Sequence, residues 1–219
     1  MQSRFHRPRL YIDCMPLTKR VNKKKTSPKT FPKKSGQTIQ VLSSKLTYDG
    51  KVFKVTCDRV KEPSGITASR DIVRHSGSVV VLAVDDDGPE PRVLLERQYR
   101  YAARDYLWEL PAGRIDPGEE PLAGAKRELI EETGYRARKW KRAVFFYSSP
   151  GFLDETMAIY LARGLTLGAA TPEEDESIEC ELLPLSQVVD WIFSGKIRDG
   201  KTIAGVLWLA EVRRRGQWT

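Results

Sequence analysis

Residues 113–135, GRIDPGEEPLAGAKRELIEETGY, constrain the fold of this chain more than any other segment. They place Glu128, Glu131 and Glu132 on a single turn of a predicted helix. Carboxylates three and four residues apart on a helix lie side by side, and each such pair destabilises an isolated helix by about 0.2–0.5 kcal/mol. The sequence therefore predicts a compensating interaction at this turn.

A bound divalent cation is one candidate for that interaction. Glu128 and Glu132, one turn apart with Glu131 adjacent, offer the hard oxygen ligands that Mg²⁺ or Mn²⁺ prefers. The alternative is an ordinary solvated face, which is the usual explanation for carboxylates at this spacing alone. The residue types and spacing at this turn therefore leave two alternatives, a metal site and a solvated acidic face.

The net charge of +8 is concentrated in one part of the chain. Residues 1–37 hold eleven Lys and Arg and a single acid, Asp13, so that the rest of the chain has a net charge of −2. This tail is rich in Lys, Pro, Ser and Thr, and too poor in apolar residues to offset the entropy of ordering it. It is predicted to be a disordered, solvated extension. A transit-like segment, a tether to nucleic acid or anionic surfaces, and a later translation start at Met15 are the alternatives.

Composition excludes several other classes of protein. The longest apolar run, residues 79–84, is far shorter than the roughly 20 residues that a membrane helix needs. The cysteines, Cys14, Cys57 and Cys180, are far apart and odd in number, so the sequence indicates neither a disulfide framework nor a zinc site. A reducing, cytoplasmic setting is predicted.

Short strands and a few helices are predicted from Thr38 onward. Strands at 51–60 and 66–73 form a predicted N-terminal antiparallel hairpin, and further strands are predicted at 78–84, 93–100, 143–147, 155–161 and 178–182. Helices are predicted at 122–133, ended by Gly134, at 187–193 after a Ser186 cap, and at about 201–214. Mixed strands with three helices and no regular βαβ alternation indicate an α+β, sandwich-like fold.

The opening segment also matches a known pattern at every position. Its glycines, Glu119, Arg127 and box glutamates fit the Nudix box, Gly-x5-Glu-x7-Arg-Glu-U-x-Glu-Glu-x-Gly-U, where U is apolar. The sequence resembles the Nudix hydrolases, and LWELPAG, SSPGFLDE and RQYRY resemble their ADP-ribose pyrophosphatase branch. The resemblance covers roughly Gly50 to the C-terminus. It implies an αβα sandwich with a mixed sheet, in which residues 38–75 supply N-terminal strands and residues 76–219 form the Nudix hydrolase domain.

The same resemblance implies an activity and partners. The expected reaction is Mg²⁺-dependent hydrolysis of the pyrophosphate of ADP-ribose to AMP and ribose 5-phosphate, with Mn²⁺ as a substitute metal. Other nucleoside diphosphate sugars, such as GDP-mannose and UDP-glucose, are the alternative substrates. A nucleotide- or RNA-binding module without catalysis is the alternative class, although such modules often lose box carboxylates and all are present here. A homodimer completed by the hairpin at residues 45–75 is expected, with nucleic acid bound only through the tail, if at all.

Site residues are carried over position by position from the resemblance. The metal is expected on the carbonyl of Ala112 and on Glu128 and Glu132, with Arg127 orienting a carboxylate. Gly113, Glu119 and Gly134 support the box.

The remaining expected roles lie outside the metal site. Glu155 is the candidate catalytic base or an added metal ligand, with Asp154 and Glu131 as rivals. Arg70, Arg100 and Glu109 are the candidate substrate contacts. Pro150, fifteen residues after Tyr135, is the candidate specificity position. Trp108 is expected in the core rather than as a base-stacking platform, and His75 has no plausible metal partner.

Overall fold

The computed structural model describes residues 38–170 and 178–217. The predicted disordered tail, residues 1–37, lies outside this description. Within it, the strands are β1 (Gln40–Asp49), β2 (Lys54–Lys61), β3 (Thr67–Arg74), β4 (Ser78–Asp85), β5 (Arg92–Arg100), β6 (Asp105–Glu109), β7 (Ala112–Arg114), β8 (Tyr135–Tyr147), β9 (Thr156–Leu167) and β10 (Glu179–Pro184). The helices are α1 (Pro121–Thr133), α2 (Leu185–Phe193) and α3 (Gly200–Arg214).

The strands form two sheets. The smaller is antiparallel, in the order β1-β2-β3, and contains the predicted hairpin with one strand added before it. The larger has the order β10-β5-β4-β9-β8, with β6 paired to β5 and β7 paired to β4. Only β4 and β9 among these pairs run parallel, so the sheet is mixed. The parallel register sets Ser78 opposite Met157 and brings the starts of β4 and β9 to one edge.

Helices cover both faces of the central strand β4. Its odd-numbered residues 79–83 pack with Leu129 of α1, and its even-numbered residues 80–84 pack with Val206 and Leu209 of α3. Fully burying one such side chain contributes about 1.5–3 kcal/mol. This apolar run is therefore a core strand, and the predicted αβα sandwich with a mixed sheet is confirmed. Among the described residues, no helix is both long and apolar enough to cross a membrane.

Strand β8 begins well before the predicted strand at 143–147. It pairs with β9 along its whole length, from Tyr135 opposite Leu167 to Tyr147 opposite Thr156. The added residues include an exposed basic stretch, RARKWKR, which lacks the apolar character expected of a strand. Because β8 lies at the edge of the sheet, these charged side chains can remain in water.

The predicted Ser186 cap of the second helix is wrong. Helix α2 already begins at Leu185, and the residue at its cap position, Pro184, has no side-chain hydrogen bond to offer. The backbone N–H of Ser186 instead donates to Glu90 Oε1 at 2.8 Å. A carboxylate distant in sequence thus satisfies a free N–H of the first turn, which local pattern does not reveal.

Helix α1 ends where predicted, at Gly134. This residue has φ 72°, and its N–H donates to the Ile130 carbonyl at 2.8 Å. A Cβ there would lie 2.8 Å from both Ala170 N and Gly168 O. Gly134 therefore supplies both a left-handed conformation and a close backbone approach.

We expect Gly134→Ala to lower the free energy of unfolding by more than Gly118→Ala does. Gly118 also has positive φ, 81°, but an added Cβ would have nothing within 4 Å. Each substitution bears the left-handed penalty of roughly 1–2 kcal/mol, and only Gly134→Ala adds a backbone clash. Urea denaturation of both variants measures the difference. Equal losses would contradict the close approach described here.

Candidate active site

A cavity of about 630 Å³ lies where α1, the box loop and the starts of β4 and β9 meet. Most of the predicted site residues line it: Arg100, Ala112, Gly113, Arg127, Glu128, Glu131, Glu132 and Glu155. Lys51, His75, Ser78, Arg114 and Lys201 also line it, and the sequence analysis assigned them no role. The cavity is therefore acidic along α1 and basic on the walls around it.

Arg127 organises the carboxylates of the box. Its Nη1 donates to Glu128 Oε1 and Glu131 Oε2, both at 2.8 Å. Its Nε and Nη2 donate to the two oxygens of Glu119, each at 3.0 Å. These bonds raise the pKa of Arg127, that from Glu119 most. Arg127 thus compensates part of the repulsion that the sequence predicts between these carboxylates, and a bound metal would compensate more of it.

Glu128 and Glu132 are both buried, and close backbone approaches surround them. A Cβ on Gly113 would lie 1.9 Å from Glu128 Oε1, so no larger residue leaves that carboxylate in place. The N–H of Ala112 donates to Glu132 Oε2 at 3.0 Å. The first two residues of β7 therefore lie directly against the two carboxylates of α1 that the sequence assigns to a metal.

The donor set fits Mg²⁺ bound with a substrate rather than in a closed protein cage. No group of three or more His, Cys, Asp or Glu in the described part of the chain forms a metal site. Magnesium usually keeps several waters and binds one or two carboxylates together with substrate phosphate oxygens. The two buried carboxylates of Glu128 and Glu132 meet that requirement.

Glu155 lies across the cavity from α1. Its Oε1 accepts from Ser78 Oγ and its Oε2 from Ser148 Oγ, both at 2.8 Å. His75 Nδ1 lies 3.6 Å from Glu155 Oε1. His75 is therefore next to a candidate site residue, although the sequence predicted no role for it. The signal for His75 was its position just before β4, at the edge where Ser78 also lies.

Asp154, the rival base, pairs with the last residue of β3 and with the residue that follows it. Its Oδ1 accepts from the N–H of His75 at 2.8 Å, and its Oδ2 from Arg74 Nη1 at 3.1 Å. Asp154 is also absent from the cavity lining, whereas Glu155 is part of it. The arrangement favours Glu155 over Asp154 as the group that meets a water in the cavity.

Three positions predicted to contact or select the substrate, Arg70, Pro150 and Glu109, do not line the cavity within one chain. Arg70, on β3, donates from Nη2 to Glu62 Oε1 at 2.7 Å, and its side chain is about half exposed. Pro150 is exposed on the loop that precedes β9. Neither Arg70 nor Pro150 is among the cavity-lining residues.

Glu109 lies behind the cavity wall. Its side chain is buried, and it accepts hydrogen bonds from Arg100 and Lys201. Burial alone would raise the pKa of Glu109, but these two cations outweigh burial and hold the pKa below its ordinary value. Glu109 is therefore ionised and reaches the cavity only through its two partners. Trp108, beside it, packs against the core, as predicted.

Sequence reasoning missed a buried acid, Glu96 on β5. The residue is fully buried, and neither carboxylate oxygen accepts a hydrogen bond. Burial raises the pKa of Glu96 to about 7, against the opposing effect of Lys201 and Arg100. The available signal was a charged residue at an inward position of a strand whose preceding residues, VLL, are apolar.

Comparisons with known proteins agree with this fold. The family described as NUDIX domain matches residues 74–205, more than half of the chain. The chain therefore belongs to the Nudix hydrolase family, and the resemblance found in the sequence is confirmed.

Particular relatives refine the comparison. The chain is 36% identical over 172 residues to an ADP-ribose pyrophosphatase of Bacillus subtilis, covering 78% of this chain and 91% of that protein. It is 37% identical over 183 residues to a methanol dehydrogenase activator of Bacillus methanolicus, covering 83% and 94%. A crystal structure of an ADP compounds hydrolase superposes with a TM-score of 0.71 at 22% identity, covering 84% of this chain and 98% of that one, and shares the fold.

We expect Glu96→Gln to stabilise the metal-free protein more at high pH than at low pH. The folded-state pKa of Glu96, about 7, lies above the ordinary value of 4.5. Between these values the folded protein retains a proton that the unfolded chain has released, so Glu96 lowers stability as pH rises. Glutamine removes this penalty. The measurement is urea denaturation with a chelator at about pH 4 and about pH 8, conditions that bracket the two pKa values.

The control for this experiment is Glu181→Gln. Glu181 lies on β10, next to the strand that carries Glu96, and is exposed. It should leave the pH dependence of stability unchanged. If Glu96→Gln also leaves that dependence at its wild-type value, Glu96 is ionised in the folded protein and the burial argument is wrong.

Proposed function

We propose that this protein hydrolyses the pyrophosphate bond of ADP-ribose, with Mg²⁺, to AMP and ribose 5-phosphate. The observation that carries the proposal is the position of Glu128 and Glu132 beside Ala112, facing Glu155 and Arg100 in one cavity. Metal ligands, a base and a phosphate-binding cation are thus available together. The similarity to an ADP-ribose pyrophosphatase supports the choice of substrate.

Glu128, Glu132 and the carbonyl of Ala112 would hold Mg²⁺, and Mn²⁺ is expected to substitute. When bound, the metal polarises the phosphoryl group and neutralises charge that develops on the leaving phosphate. Arg127 keeps the box carboxylates in place through its bonds to Glu128 and Glu131. The pair Gly113 and Glu119 supports the loop that faces the metal ligands, and Gly134 ends the helix that carries them.

Glu155 is proposed as the general base. It removes a proton from water, whose oxygen attacks one phosphorus of the pyrophosphate while the bridging oxygen leaves with the other phosphate. The two serine hydroxyls that donate to Glu155 fix its orientation. Glu131, which is 40% exposed at the cavity edge, is the alternative base.

A homodimer is proposed to complete the site. The sheet β1-β2-β3 exposes large apolar side chains in this chain alone, including Val41, Leu42, Leu46 and Tyr48. Exposed apolar surface of this kind marks an interaction site. In the dimer, Arg70 of this sheet is proposed to contact substrate in the partner's cavity, and Pro150 to shape the same pocket for ADP-ribose.

Roles are also proposed for the basic N-terminal residues and for the cysteines. Any contact with nucleic acid is proposed to be made by residues 1–37, because their basic charge favours phosphate backbones. The free thiols of Cys57 and Cys180 support a reducing, cytoplasmic location.

A substrate panel tests the reaction. With Mg²⁺, we expect ADP-ribose to give a higher kcat/KM than GDP-mannose and UDP-glucose, and a chelator to abolish turnover. Glu132→Gln should lose orders of magnitude of activity, whereas the exposed Glu120→Gln should retain it. If Glu132→Gln keeps more than about a tenth of the activity, under ~1.4 kcal/mol of transition-state stabilisation is lost, which is too little for a metal ligand. Binding of nucleotide without any turnover would favour the non-catalytic module instead.

The base assignment has its own test. Glu155→Gln should lower kcat by roughly 10²- to 10⁴-fold with little change in KM, the usual contribution of general base catalysis. Asp154→Asn, at a position that does not line the cavity, should lower kcat much less. Recovery of Glu155→Gln activity at high Mg²⁺ would instead identify Glu155 as a metal ligand.

A further inference from the structure

Lys201 lies in the wall of the active-site cavity, and the proposed mechanism does not use it. It is the second residue of α3, and only 8% of it is exposed. Buried lysines are rare in folded proteins unless they are paired. Because Lys201 is buried and lines the cavity together with Arg100, it is expected to have a specific partner.

That partner is the buried carboxylate of Glu109. Lys201 Nζ contacts Glu109 Oε2 and also lies 3.2 Å from Asp199 Oδ2. From the other side, Arg100 Nε and Nη2 donate to the two Glu109 oxygens, each at 2.9 Å. Glu109 thus lies between two cations. A buried carboxylate with one cation removed is strongly destabilised, so both contacts matter.

The same contacts set the direction of the Arg100 guanidinium. Glu109 occupies Nε and Nη2, and within the described residues no hydrogen bond engages Nη1. Arg100 lines the cavity, and its side chain is 37% exposed. A planar guanidinium held at two nitrogens has a fixed third. The Nη1 group is therefore left to donate into the cavity.

Lys201 is itself held rigidly by the start of α3. Asp199, the cap residue, accepts from Thr202 N at 2.9 Å and from Thr202 Oγ1 at 2.6 Å. The Thr202 hydroxyl accepts from the N–H of Leu110 at 2.8 Å, one residue after Glu109. The first turn of α3 is thus fastened to the end of β6, and the distance between Lys201 and Glu109 is determined by the fold.

We infer that Lys201 is a positioning residue for substrate binding: it holds the Glu109 carboxylate so that Arg100 presents Nη1 to a phosphate of the substrate. The inference rests on the proposed function, because it assigns Arg100 to the substrate's phosphates. Without Lys201, the Glu109 carboxylate loses a contact that fixes its position, so it no longer orients the Arg100 guanidinium toward the cavity. Substrate affinity then falls while the chemical step is unchanged.

A double-mutant cycle on Lys201 and Arg100 tests this inference with ADP-ribose. Lys201→Met should raise KM roughly tenfold with little change in kcat, since a phosphate contact is made in ground state and transition state alike. Arg100→Ala should raise KM at least as much. In the Arg100→Ala background, Lys201→Met should raise KM no further, because coupled residues are not additive. Lys126→Met, an exposed lysine on α1, is the matched control and should leave KM and kcat unchanged.

Other outcomes overturn the inference. If the two losses multiply in the double variant, Lys201 contacts the phosphate directly and does not act through Arg100. If Lys201→Met lowers kcat and leaves KM unchanged, its role is in the chemical step. A wild-type protein that does not cleave ADP-ribose would overturn the proposed function, and this inference with it. Multiplied losses in a protein that does cleave ADP-ribose overturn the inference alone.

A second variant tests the inference even if Lys201→Met alone does not fold. Lys201→Met combined with Glu109→Gln removes both opposite charges and leaves no buried carboxylate with a missing partner. Circular dichroism and thermal unfolding check that it folds. We expect this double variant to show the same raised KM, because Arg100 has lost the charged group that orients it. A wild-type KM would overturn the inference.

Discussion

The hydrogen bonds of Arg127 to the box glutamates are the interactions on which the rest of the site depends. One guanidinium donates to Glu128 and Glu131 on its own helix and to both oxygens of Glu119 on the loop before it. Its Nη2 also donates to the carbonyl of Arg114 at 3.2 Å. The planar fork can satisfy several carboxylates at once, which a lysine cannot do. Carboxylates that would repel one another on α1 are thereby hydrogen-bonded to Arg127, which also joins the helix to the loop before it.

The arrangement of the sheet brings the second half of the site to those carboxylates. Strand β4 is covered by α1 on one face and by α3 on the other, and Ser78 at its start lines the same cavity as Glu128 and Glu132 of α1. The parallel partner β9 begins beside it, so Glu155 comes within 2.8 Å of Ser78. The continuously apolar strand β4 thus lies between the two helices, and the proposed base and the proposed metal ligands line the cavity at its start.

Charge is buried behind this cavity to an extent that stability alone does not explain. Glu96 and Glu109 are both 2% exposed or less, and Arg100 and Lys201 are the cations nearest to them. Burying ionised groups costs free energy that an apolar replacement would not, so such clusters are expected where function requires them. In the proposed reading, the cluster orients Arg100 for a substrate phosphate.

The sequence by itself determined the helix α1, its end at Gly134, the box and the family, because these depend on spacings of a few residues along one helix and its loops. It also indicated most of the apolar strands. Tertiary structure alone decided which distant side chains meet: Lys201 with Glu109, 92 residues apart, and Glu155 with Ser78, 77 apart. It also left Arg70 and Pro150 outside the cavity of their own chain. Helical and strand periodicity is a local property, whereas a buried ion pair exists only once the packed layers have brought its partners together.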